Sequence, residues 1–111
     1  MPHYMFQVSY TPESWAGLMK NPENRRDAIG KLMANAGGSL DAFYFAFGEH
    51  DVVVLATLPD NVSAGAVAVA AAGSGAVRSL STTVLMTAEE GQEVMRKAAG
   101  VAYSAPGGDR R

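Results

Sequence analysis

The chain has 111 residues and no cysteine, with nine Lys and Arg against eleven Asp and Glu, a formal charge of −2 at neutral pH. That length holds one hydrophobic core and not two; the missing thiols exclude a disulfide, a thiolate nucleophile and a Cys-based zinc or iron–sulfur site. Adjacent basic residues occur only in pairs, such as Arg25-Arg26 and Arg110-Arg111, too few to give nucleic acid an electrostatic footing.

Residues 3–10 are rich in Tyr, Phe and Val and predict a strand that ends at Thr11-Pro12, where Thr caps a helix that Pro can open. The start of the chain, MPHYMFQVSY, lacks the basic-then-apolar order of a secretion signal, so the cytoplasm is the expected compartment. Trp15, Leu18 and Met19 continue the helix. Asn21-Pro22 breaks or kinks it, with Asn21 capping the second piece, and helical spacing resumes at Ile29, Leu32, Met33 and Ala36. Gly37-Gly38 ends it. Residues 40–47 and 52–58 predict two strands joined by Gly48-Glu49-His50-Asp51, an antiparallel hairpin in which Gly48 takes a positive φ.

Pro59-Asp60 opens a helix over residues 61 to about 72, which Gly73-Ser74-Gly75 closes before a last strand over about 77–86. Residues 62–72 are mostly Ala and span about half of what a membrane helix needs, so they predict a buried helix and no membrane partner. Thr87 and Glu90 have the spacing of a capping box, opening a closing helix to about residue 99. The domain therefore spans residues 1–99, and residues 100–111 read as a flexible polar tail.

This order is β-α-β-β-α-β with an added C-terminal helix, an α+β ferredoxin-like fold. Right-handed crossovers give the sheet order 4-1-3-2 and bring the loop after the first strand, the hairpin and the loop before the last strand to one end. Both crossover helices then lie on one face. On the second strand Phe43, Phe45 and Phe47 alternate with Leu40, Ala42, Tyr44 and Ala46; on the third, Val52, Val54, Ala56 and Leu58 alternate with Asp51, Val53, Leu55 and Thr57. Neither side is plainly polar. With 48% hydrophobic and 18% charged residues, the face without helices is expected to be covered by a second copy of the chain, a homodimer or higher oligomer.

The segment from His3 to Lys97 resembles the GYD domain, a small bacterial family named for a Gly-x-Tyr-Asp signature in the hairpin after the second strand, here Gly48-Glu49-His50-Asp51. The resemblance also rests on Tyr10-Thr11, Gly37-Gly38, Phe43-Tyr44, the VVV run after Asp51, Pro59-Asp60, Gly75 before Val77-Arg78, and Thr87-Ala88-Glu89-Glu90. It implies a ferredoxin-like fold related to the dimeric α+β barrel proteins and no assigned activity. This chain departs from the signature by carrying His50 where the family has Tyr.

His50 is the candidate catalytic residue: with an ordinary pKa of ~6.5 an imidazole can exchange protons near neutral pH, and Glu49 and Asp51 stand beside it to orient it or bind a ligand. Against this, Gly and Asp commonly build turns, and consecutive strand positions project to opposite faces. Tyr44, among Phe residues, is a candidate pocket wall or a core residue. Arg78 is a candidate anion partner or a solvated surface charge, and Trp15 a ligand contact or a core anchor. His3 starts the first strand about 20 Å from the hairpin and cannot share a metal with His50, so no metal site and no cofactor are expected. A haem enters only through the likeness to dimeric α+β barrels.

Two functions follow. One is a dimeric scaffold or small-ligand-binding module for an apolar or aromatic molecule. The other is a cofactor-independent enzyme, a monooxygenase, isomerase or cyclase acting on an aromatic or polyketide-like substrate, with His50 as acid–base group.

Overall fold

The structure, a computed structural model, describes residues 1–107; Arg110, Arg111 and the rest of the expected tail's end lie outside the described residues. Its elements are β1 (His3–Tyr10), α1 (Pro12–Lys20), α2 (Arg25–Asn35), β2 (Ser39–Phe45), β3 (Val52–Thr57), α3 (Asn61–Gly73), β4 (Val77–Leu85) and α4 (Ala88–Ala98). The strands form one antiparallel sheet in the order β2-β3-β1-β4, the expected ferredoxin-like α+β arrangement.

Each helix starts where a short polar side chain replaces the missing backbone acceptor. Thr11 accepts from the N–H of Ser14, Asp60 from that of Ser63, and Thr87 and Glu90 exchange bonds as a capping box. The second helical piece is capped by Asn24, which accepts from the N–H of Arg26, and not by Asn21. The reason is Pro22: it forces the residue before it out of helical geometry, so Asn21 ends α1 and the chain runs through Pro22-Glu23 before it coils again.

The core lies between the sheet and the pair α2 and α3. Tyr4, Phe6, Val8 and Tyr10 of β1 and Val52, Val54 and Ala56 of β3 meet Met33, Ala64 and Val67. Burying a side chain of this size stabilises the fold by about 1.5–3 kcal/mol. The expected burial of this Ala-rich helix, α3, holds for one strip only, Ala64 and Val67, because a helix on one side of a sheet has one inner face; Val62 and Val69 are exposed.

A bulge between Leu40 and Ala42 changes the faces of β2. Leu40 is opposite Ala56 and Phe43 opposite Val54, so both point to the helices, while Ala42 and Tyr44 lie opposite Leu55 and Val53 on the other face. The extra residue, Asp41, accepts a hydrogen bond from Thr57 Oγ1 at 2.7 Å. Simple alternation had put Leu40 with Tyr44, and the bulge separates them. The uncovered face is apolar in its β2–β3 half and at Met5, and polar along β4, where Ser81 and Thr83 lie beside Gln7 and Met5.

The helix α4 stands apart. It has no buried residue and makes no substantial contact with any other element, leaving Val94 and Met95 exposed on an amphipathic helix. The radius of gyration is 18.1 Å, against about 13 Å for a compact chain of this length.

The hairpin connection is longer than the four residues expected, since β2 ends at Phe45 and Phe47 is fully exposed in the loop. The loop is held by backbone bonds from Ala46 N–H to Asp51 O (2.7 Å) and from Asp51 N–H to Val8 O (2.8 Å). Gly48 does not have a positive φ, and a Cβ built on it meets nothing within 4 Å. A six-residue loop reverses gradually and needs no left-handed residue there. The steric demand falls instead on Gly37, at φ 91°, and on Gly38, whose added Cβ would sit 1.9 Å from the carbonyl oxygen of Thr57 where β2 meets β3.

We therefore expect Gly38→Ala to lower stability by about 2 kcal/mol or more and Gly48→Ala to change it by less than about 0.5 kcal/mol, measured by urea unfolding. The reverse ranking would contradict this account of the hairpin.

Candidate functional site

The end of the sheet that carries the hairpin is built around the last residue of β1. The β1–β3 ladder runs as far as the pair Val8 and Val52. Beyond it the N–H of Tyr10 donates to Asp51 Oδ2 at 2.9 Å, so a side chain takes over where the strand has stopped supplying carbonyls. Ser9 Oγ reaches Glu49 O at 3.3 Å, and on the other side Thr11 N–H and Ser14 Oγ donate to Ala76 O at 3.1 and 2.7 Å. The three loops expected at one end are thus joined there.

Glu49, His50 and Asp51 do not converge. The Asp51 carboxylate holds the backbone of β1, and Glu49 is largely in water, with its Oε1 3.8 Å from His50 Nε2. His50 is half-buried, and its Nδ1 is buried with no hydrogen-bond partner. None of the three lines a cavity below the helices.

That cavity, of about 180 Å³, lies between the sheet and α2 and α3. Its walls are apolar, with Ile29, Phe43, Val54 and Val77 among them, and its polar edge is made by Arg25, Tyr10 and Ser74. Tyr10 and Arg25 also border a second, more open groove beside α1 that includes Glu23. Arg25 is bound to Glu23 at 2.7 Å. Partial burial works against the guanidinium's charge, but the Tyr10 hydroxyl and the Glu23 carboxylate outweigh it and raise its pKa above the ordinary value.

An aromatic chain closes the hairpin side of the cavity. Trp15 packs edge-on against Tyr10 at 5.3 Å and tilted against Phe45 at 6.3 Å, and Phe45 meets Phe43 edge-on at 5.3 Å. Such pairs contribute about 0.5–1.5 kcal/mol beyond the area they bury. They tie α1, which has no buried residue, to the sheet. Trp15 is therefore behind the cavity wall and does not line the cavity itself.

Tyr44 is 63% exposed on the uncovered face, away from the cavity between sheet and helices. Arg78 is exposed at the start of β4, in a shallow groove with Val69 and Leu80, and no ion pair joins it to Glu49 or Asp51 among the described residues. The residues that sequence reasoning missed are Arg25 and the hydroxyl of Tyr10. A helix capped at Asn21 would have set Arg25 in its second turn; capped at Asn24, it stands in the first turn beside β1.

No three His, Cys, Asp or Glu side chains cluster as a metal would require among the described residues. A haem does not fit this cavity, which falls short even of the ~300 Å³ of a usual ligand pocket and has no His in its lining. No described helix is long and apolar enough to cross a membrane.

We expect Asp51→Ala to cost about 1–3 kcal/mol by leaving the Tyr10 N–H without its acceptor, with faster hydrogen exchange at that amide and the hairpin before exchange rises in the rest of β1. Unchanged exchange at Tyr10 would show that the carboxylate does not hold the strand.

No curated protein matches the chain at a significant level. The GYD domain model matches residues 4–95, from the second residue of β1 to the last turns of α4, and so includes the hairpin, the cavity walls and the Asp51 anchor. With most of its length matched, the chain belongs to the GYD domain family.

Proposed function

We propose that the protein is a homodimeric module that binds a small apolar or aromatic molecule in the cavity between its sheet and helices. The observation that carries the dimer is the surface the chain leaves uncovered. Two features account for the choice of interface: the apolar β2–β3 half of the open sheet face, with Met5, Val53, Leu55 and Tyr44, and the outlying helix α4 with Val94 and Met95. Two copies meeting on their open faces, each laying α4 against the other, remove both from water.

A second reading, the cofactor-independent enzyme with His50 as acid–base group, rests on one observation, the buried Nδ1 without a partner. Its weakness is distance from a substrate: His50 does not line the cavity.

In sedimentation at micromolar concentration the chain should run at twice its 11.6 kDa, and Leu55→Lys should return it to one, because a lysine buried without a partner costs more than the apolar contact it replaces. A clean single-chain species for the parent would overturn the dimer. His50→Tyr, which restores the residue of the family signature, should leave folding and dimer intact and weaken a bound ligand less than about tenfold, or ~1.4 kcal/mol. If instead it abolished a measured activity with the dimer unchanged, His50 would be the catalytic group and the second reading would stand.

A further inference from the structure

We propose that the cavity between the sheet and α2 and α3 selects a small monocyclic carboxylate, with the ring among Ile29, Phe43 and Val54 and the anion held by Arg25 and the Tyr10 hydroxyl. This rests on the ligand-binding reading above and gives that ligand a chemical class. Size sets the first limit. An apolar cavity of about 150 Å³ admits benzene, so about 180 Å³ admits one ring with a short polar substituent and nothing of drug size.

Charge sets the second. The lining contains one cation, Arg25, and no carboxylate. The partner of that cation in the free protein, Glu23, stands outside the cavity in the adjoining groove, with its side chain 46% exposed. It follows Pro22 in the connection between α1 and α2 and can turn into water at little cost when another anion arrives. A guanidinium has five N–H donors in a planar fork, which suits the two oxygens of a carboxylate.

Other ligand classes meet this lining poorly. An organic cation would be repelled by Arg25. A phosphate would carry more charge and a larger hydration shell into apolar walls that offer it, besides Arg25, only the hydroxyls of Tyr10 and Ser74. A neutral hydrocarbon would fill the walls but strip water from the guanidinium and return no hydrogen bond. A ring acid satisfies both parts.

The test uses the whole chain with isotope-labelled methyl groups, titrated with benzoate, benzamide and benzylamine at neutral pH and millimolar concentration. Benzoate should shift the methyl signals of Ile29, Leu32 and Val54 and bind at least tenfold more tightly than benzamide, while benzylamine leaves them unmoved. Arg25→Met should weaken benzoate at least tenfold and leave benzamide unchanged; Arg25→Lys, which keeps the charge without the fork, should lose part of that. Glu23→Gln should tighten benzoate by removing its competitor. Should Arg25→Met not fold, the comparison of benzoate with benzamide on the parent still decides. Equal binding of the two overturns the anion role and leaves a ligand cavity standing, whereas no shift at these methyl groups with any probe overturns the cavity reading as well.

Discussion

A four-stranded sheet has two faces, and in this chain the crossovers put their helices on one of them. Everything else about the molecule follows from that asymmetry. The helix-side face, with β1 at its centre, carries a closed core of Tyr4, Phe6, Val8 and Tyr10 against Val52, Val54 and Ala56. The opposite face keeps an apolar half and a polar edge, and α4 projects away from the rest of the domain with no buried residue. This unpaired apolar surface is what the second copy of the proposed dimer would cover.

The end of β1 is where structure and chemistry meet. Tyr10 gives its N–H to Asp51, its ring to Trp15 and its hydroxyl to the surroundings of Arg25. The Asp of the family signature thus has a mechanical role: it substitutes for a strand carbonyl and sets the hairpin against β1 at the margin of the cavity. His50, although it stands in the same loop, does not line that cavity.

The fold was legible in the sequence because its signals are local and mutually consistent: period-two alternation for the strands, Thr11, Asp60 and Thr87 as caps, Gly37-Gly38 and Gly75 as stops. The capping box of Thr87 and Glu90 and the sheet order came out as expected. What alternation could not reveal was the bulge at Asp41, since one extra residue in a strand leaves no mark on a sequence until its partner strand is known. Nor could composition show that Gly38, and not Gly48, is pressed against a neighbouring carbonyl. The cavity was the least legible part. Its polar edge joins Tyr10 and Arg25, fifteen residues apart, and the starting point of α2 decides whether they meet.

The dimer is the claim on which the molecule's surface depends, and contact between two chains can be observed directly. In a sample mixed from isotope-labelled and unlabelled chains, intermolecular nuclear Overhauser effects report only protons of different copies. The proposed dimer predicts such effects between the methyl groups of Val94 and Met95 on one chain and those of Met5, Val53 and Leu55 on the other. Spectra in which the open-face methyl groups show neighbours within their own chain and none from a second copy would contradict it.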